Sequence, residues 1–134
     1  MNSKKTGVIL VGHGSREPYN KDAIQYFAER LKSMYEYVGY AFMEMSKPTI
    51  QEALQAAAAS GLTEVIIQPV FLTRGVHIDF DIPELLGIPR GSRSGMVTVS
   101  GKALSVKYGG PIGKDDRILE ILIDRIREAA GESR

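Results

Sequence analysis

The sequence predicts an α/β fold, a three-layer sandwich built on a mainly parallel sheet of four strands. Three observations carry that prediction. Short β-branched apolar runs alternate with stretches of helical periodicity. Glycines and prolines punctuate the boundaries between them. A length of 134 residues matches one compact domain, 1–134, with enough chain to bury a core. Strands that alternate with helices in this way pair in parallel through right-handed crossovers.

The elements follow in order. Val8-Ile9-Leu10-Val11 ends at Gly12, the pattern of a first strand buried on both faces. Ile24, Phe27, Ala28, Leu31, Met34, Tyr35 and Val38 then share one helical face, which predicts a helix over 18–37 that Gly39 closes. Tyr40-Ala41-Phe42-Met43-Glu44 reads as the second strand, ending in a carboxylate. Ser46 to Thr49 supplies capping residues, with Pro48 near the first helical position, and Ile50, Ala53, Leu54, Ala57 and Ala58 predict a second helix that stops at Gly61.

Residues 65–71 read as the third strand, where Pro69 is tolerated only near the end. A short helix over 76–86 comes next, because Pro83 argues against a long continuous one. The Gly-, Ser- and Arg-rich residues 87–95 read as a surface loop, and 87–102 as a flexible insertion. Of two candidate strands, 96–99 and 103–108, the second is assigned to the sheet as its fourth. Asp115 caps a last helix whose Ile118, Leu119, Leu122, Ile126 and Ala129 are expected to face the core.

Composition narrows the function classes. A net charge of +1 with both signs spread along the chain lacks the basic surplus that phosphate neutralisation demands, so nucleic acid is not an expected partner. Without cysteine, a metal site has only imidazole, carboxylate and backbone oxygen to draw on. The polar start and the short run 8–11 provide neither a signal segment nor a membrane span, so the expected location is the cytoplasm.

In open parallel sheets, ligands bind outside the carboxyl ends of the strands. That rule selects Gly12-His13-Gly14-Ser15-Arg16, Glu44, and Thr73-Arg74-Gly75-Val76-His77, and so brings both histidines of the chain and one carboxylate to the same edge. Neutral imidazole ligates borderline divalent metals and also takes up protons near neutral pH. Gly12 and Gly14 remove side-chain bulk beside His13, while Arg16 and Arg74 offer charge-assisted hydrogen bonds to carboxylates. The bland alternatives are a pair of solvated loop histidines, a Glu44 that only ends its strand, and arginines that are simply surface charges.

Two nearby motifs fail. Glu17 stands where a dinucleotide fingerprint places its third glycine, close to an incoming pyrophosphate. The same Glu17 stands where a nucleophile elbow around Ser15 needs a glycine, so a hydrolase using Ser15 and His13 is poorly supported.

Read in order, Val11-Gly12-His13-Gly14-Ser15-Arg16, then Phe42-Met43-Glu44-Met45-Ser46-Lys47-Pro48-Thr49-Ile50, then Pro69-Val70-Phe71-Leu72 and Gly75-Val76-His77 resemble the short sirohydrochlorin cobaltochelatases. The likeness is strong over residues 7–86, and the terminal strand and helix, beginning near Ala103, agree in character, including Gly110-Pro111-Ile112-Gly113 before the helix. It implies a chelatase-like fold and ATP-independent insertion of Co2+ into sirohydrochlorin on the way to cobalamin, with no organic cofactor; related enzymes insert Ni2+ or Fe2+. By position it implies that His13 and His77 bind the metal and accept protons, with Glu44 at a matching acidic place. Gly14, Ser15, Arg16, Thr73, Arg74, Gly75 and Val76 would then face the tetrapyrrole. Larger chelatases resemble two such domains in one chain, and this sequence holds no internal repeat, so a homodimer is expected. The rival reading is a non-enzymatic metal or tetrapyrrole carrier.

Overall fold

The computed structural model describes residues 5–132. β1 (Thr6–Gly12), β2 (Val38–Phe42), β3 (Glu64–Pro69) and β5 (Lys102–Tyr108) run parallel, and β4 (Ser94–Val99) joins the edge antiparallel to β5. Among the described residues these five strands make one sheet, in the order β2-β1-β3-β5-β4. The helices are α1 (Tyr19–Leu31), α2 (Ile50–Ala59), α3 (Ile82–Leu86) and α4 (Asp116–Ala129), with a π-helical turn over His77–Asp81 leading into α3.

The sheet is covered on both faces, and side-chain alternation divides its core in two. Ile9, Val11, Val65, Ile67, Leu104 and Val106 point to one face, where α2 and α3 cover them with Leu54, Ala57, Ile82 and Leu86. Val8, Leu10 and Phe42 point to the other, under Ile24 and Ala28 of α1. Each of these core side chains is at least nine-tenths buried, and together they supply the hydrophobic driving force of the fold. At the start of α2, the Thr49 hydroxyl accepts from the Glu52 N–H while Glu52 accepts from the Thr49 N–H, so two helix-end donors are satisfied at once.

The sheet has five strands rather than the four expected. The additional strand, β4, lies inside the segment read as a flexible insertion. Its Val97 and Val99 alternate inward and pack against the core, and its backbone bonds to β5 from Ser94↔Lys107 to Val99↔Lys102. The first helix is also shorter than its periodicity suggests. It ends at Leu31, because from Tyr37 onward the backbone is claimed by the ladder with β1, beginning with the Val8 N–H to the Tyr37 carbonyl. Gly39 therefore lies within β2 and does not close a helix.

The last helix departs furthest from expectation. Asp115 does cap it, accepting from the Arg117 N–H, and the same arginine holds that carboxyl well below the usual range. Its apolar stripe, however, does not face the core. No residue of α4 is buried, and Leu119 and Leu122 are each 53% and Ile126 66% exposed. Periodicity identifies an apolar face but not what covers it.

Candidate metal centre

The carboxyl ends of β1, β2 and β3 converge as the fold rule requires. Beyond β1 the ladder with β2 continues for two residues: the Met43 N–H donates to the Gly12 carbonyl and the Glu44 N–H to the His13 carbonyl. Glu44 is thereby set alongside His13, with Oε1 3.6 Å from Nε2. Gly14 closes the turn at φ +88°, and a Cβ there would drive into the Glu44 carbonyl, so only glycine fits. The loop is tied down by Asn20, whose Oδ1 accepts from the Gly14 N–H, and by Ser46, whose hydroxyl bonds both the N–H and the carbonyl of Ser15.

His77 arrives from the other side, on the first residue of the π-helical turn. Here the Ile82 N–H reaches back five residues to the His77 carbonyl, a geometry frequent at functional sites. Pro83 has no N–H, so carbonyls in the turn need other donors. The Ile78 carbonyl accepts from the buried Tyr108 hydroxyl at 2.7 Å, and the Asp79 carbonyl from the Gly91 N–H at 2.9 Å. The turn is thus held sideways, from β5 and from the connection to β4.

The result is a face-to-edge pair of imidazoles with ring centroids 5.1 Å apart, backed by Phe71 at 6.2 Å from His13 and 6.5 Å from His77. Nδ1 of His13 lies 3.0 Å from the Gly14 carbonyl, and Nδ1 of His77 lies 2.9 Å from Oδ2 of Asp81. Both partners accept, so both Nδ1 atoms donate. In the neutral rings this assigns the lone pair to Nε2 on each side, the tautomer a metal or an incoming proton requires. The side chains of His13, His77 and Glu44 are 43%, 49% and 53% exposed, which leaves the pair open to a large ligand. Among the described residues no group of three or more His, Asp or Glu is gathered to hold a metal ion as a set.

Other residues selected from sequence are distributed around this centre. The Ser15 hydroxyl donates to the Glu17 carbonyl at 2.6 Å, so it is engaged away from His13. Arg16, Thr73, Gly75 and Val76 are exposed on the two loops. Arg74 turns toward Asp79, with Nε 3.3 Å from Oδ1, and borders a neighbouring cavity. Asp81, Asn20 and Ser46 lie outside the site residues selected from sequence, Ser46 being read as a capping residue. Asp81 had a readable signal, since four residues after a histidine is one helical turn; Asn20 and Ser46 act through loop contacts that periodicity does not encode.

The class is that of the metal chelatases. Over 92% of its length the chain matches the sirohydrochlorin chelatase SirB of Bacillus subtilis subspecies spizizenii, solved in complex with cobalt, at TM-score 0.74 and 25% identity, and it spans 50% of that protein. The chain belongs to the CbiX family, whose model matches residues 7–129. Among its relatives, the sirohydrochlorin cobaltochelatase of Methanopyrus kandleri is 41% identical over 139 residues, covering 93% of this chain and 97% of the relative. That of Methanococcoides burtonii is 39% identical over 128 residues, covering 94% and 98%.

Proposed function

We propose that this chain, as one chelatase-like domain acting in a homodimer, inserts Co2+ into sirohydrochlorin without ATP, in cobalamin or related tetrapyrrole biosynthesis. The observation that carries the reading is the paired tautomer: two adjacent imidazoles whose Nδ1 atoms are both committed to oxygen, leaving the lone pair of each ring on Nε2. Insertion requires the ion to shed water and the macrocycle to lose two pyrrole protons. His13 and His77 bind the incoming ion through Nε2 and, once it moves into the ring, the same nitrogens take up protons. Glu44, 3.6 Å from His13 Nε2, steadies the imidazolium so formed or shares the metal. Gly14, Ser15, Arg16 and the 73–76 loop border the opening on which the macrocycle lies, with Gly14 allowing close approach.

The homodimer is supported by two facts. The chain corresponds to half of SirB, and α4 leaves half or more of Leu119, Leu122 and Ile126 exposed to solvent. A second copy whose α4 meets this face would bury it and bring two equivalent sites into one assembly. No helix among the described residues is long and apolar enough to cross a membrane; the cytoplasm is the proposed compartment.

The test is spectral. With Co2+, Ni2+ and Fe2+ offered separately, wild-type protein should speed conversion of free sirohydrochlorin to its cobalt complex above the protein-free rate. His13→Ala and His77→Ala should each lose most of that acceleration while unfolding near the wild-type midpoint. A wild-type protein that binds sirohydrochlorin yet leaves the insertion rate unchanged is a carrier, not an enzyme.

A further inference from the structure

A second opening lies beside the histidine pair on the same edge of the sheet. It is a cavity of about 290 Å³ over the end of β5, bounded by Arg74, Asp79, Ser92, Arg93, Tyr108 and Gly110, among others. Arg74 and Asp79 also tie it to the segment that carries His77. Two guanidinium groups against one carboxylate leave it with a positive excess. The volume suits side arms of a macrocycle and not the ring itself.

Arg93 is the residue that gives this opening a direction. It precedes β4 and reaches across to β5, where its Nε donates to the Tyr108 carbonyl at 3.0 Å. Its guanidinium lies over Gly110, where a Cβ would stand 3.4 Å from Nη2, an ordinary contact distance. Nη1 and Nη2 have no hydrogen-bond partner among the described residues. A guanidinium fixed through Nε with both terminal nitrogens unengaged is preorganised to meet a carboxylate with two parallel hydrogen bonds. Arg74 is differently placed, since its Nε and Nη2 are engaged by Asp79 at 3.3 and 3.4 Å.

We infer that this cavity is a subsite for peripheral carboxylate arms of the tetrapyrrole, and that Arg93 is the residue that receives them. The inference rests on the chelatase reading for the identity of the ligand. Its chemistry is its own: an anionic arm held over β5 orients the macrocycle so that its centre lies toward His13 and His77. Arg93 is thus a positioning residue, acting on substrate registration and not on the metal.

Equilibrium binding tests it without turnover. Metal-free sirohydrochlorin and its peripheral methyl ester are titrated by absorbance against wild-type, Arg93→Ala, Arg93→Lys and, as a remote exposed control, Arg30→Ala. Arg93→Ala should weaken binding of the acid about tenfold, the scale of one charge-assisted contact, and leave binding of the ester within about twofold of wild-type. Arg93→Lys should fall between, because it keeps the charge and loses the fork. In the insertion assay the loss should appear in KM with kcat held within about twofold. Unchanged binding of the acid by Arg93→Ala, or equal losses for acid and ester, overturns the subsite. If wild-type binds as described but does not insert metal, the chelatase reading fails and the subsite stands; if it binds no sirohydrochlorin, both fail.

Discussion

Nδ1 of His77 and Oδ2 of Asp81 stand 2.9 Å apart across one turn of helix, and this contact commits Nδ1 as the donor of the ring. A carboxylate behind an imidazole fixes its tautomer, orients the ring and raises its basicity. Asp81→Ala should therefore lower the rate of metal insertion about 10- to 100-fold, and Asp81→Asn, which keeps an acceptor without the charge, should lose less. The ratio between the two variants in the absorbance assay is the measurement. An Asp81→Ala protein with wild-type turnover would show that His77 is oriented by something else.

Gly14 combines a left-handed backbone with the Glu44 carbonyl at its Cα. Gly14→Ala is expected to cost roughly 1–2 kcal/mol from the conformation alone, with the steric clash in addition. Because relief of that clash moves Glu44 away from His13, insertion should fall by more than the loss of folded protein explains. Urea denaturation beside the activity of the residual folded fraction separates the two effects.

Tyr108 offers a stability test with a pH signature. Its hydroxyl is the donor for the Ile78 carbonyl, and burial, aided by Asp79, pushes its ionisation up to about 12. A group whose pKa is raised on folding stays protonated in the native chain while the unfolded chain gives up its proton near pH 10, so stability falls between pH 10 and 12. Tyr108→Phe leaves the carbonyl unpaired and should cost about 1–3 kcal/mol at pH 8. Its disadvantage should shrink above pH 10, because the variant lacks the titrating group. Denaturant midpoints at pH 8 and pH 11 give the comparison; a constant gap between the two proteins would contradict it.

The exposed stripe on α4 makes the dimer testable. Leu122→Glu with Ile126→Glu places charge on the face proposed to meet a second copy. Light scattering at about 10 μM should then read half the wild-type mass, an affinity loss in line with the roughly 1.5–3 kcal/mol lost per large apolar side chain no longer buried. A wild-type protein that is itself monomeric under these conditions defeats the dimer proposal directly.

The convergence of His13, Glu44 and His77 was legible because three strand ends were legible, and a parallel sheet brings such ends to one edge. Asp81 was harder to see. Pro83 blurred the helix that gives His77 and Asp81 their one-turn relation, and the π-helical turn that accommodates it depends on Tyr108 and Gly91, distant in sequence. β4 was set aside for a similar reason. Val97 and Val99 alternate over too few residues to announce a strand until β5 is there to pair with them. For α4 the apolar face was readable and its direction was not, since periodicity carries no information about the neighbouring surface.

The bond from the Gly91 N–H to the Asp79 carbonyl turns a distant loop into a reporter on the turn that carries His77. That amide is shielded only while the turn bearing His77 is closed, so its rate of deuterium uptake follows the opening of the turn itself. An observer watching Gly91 in a mass spectrum would see whether His77 is at rest or in motion without ever touching the histidine.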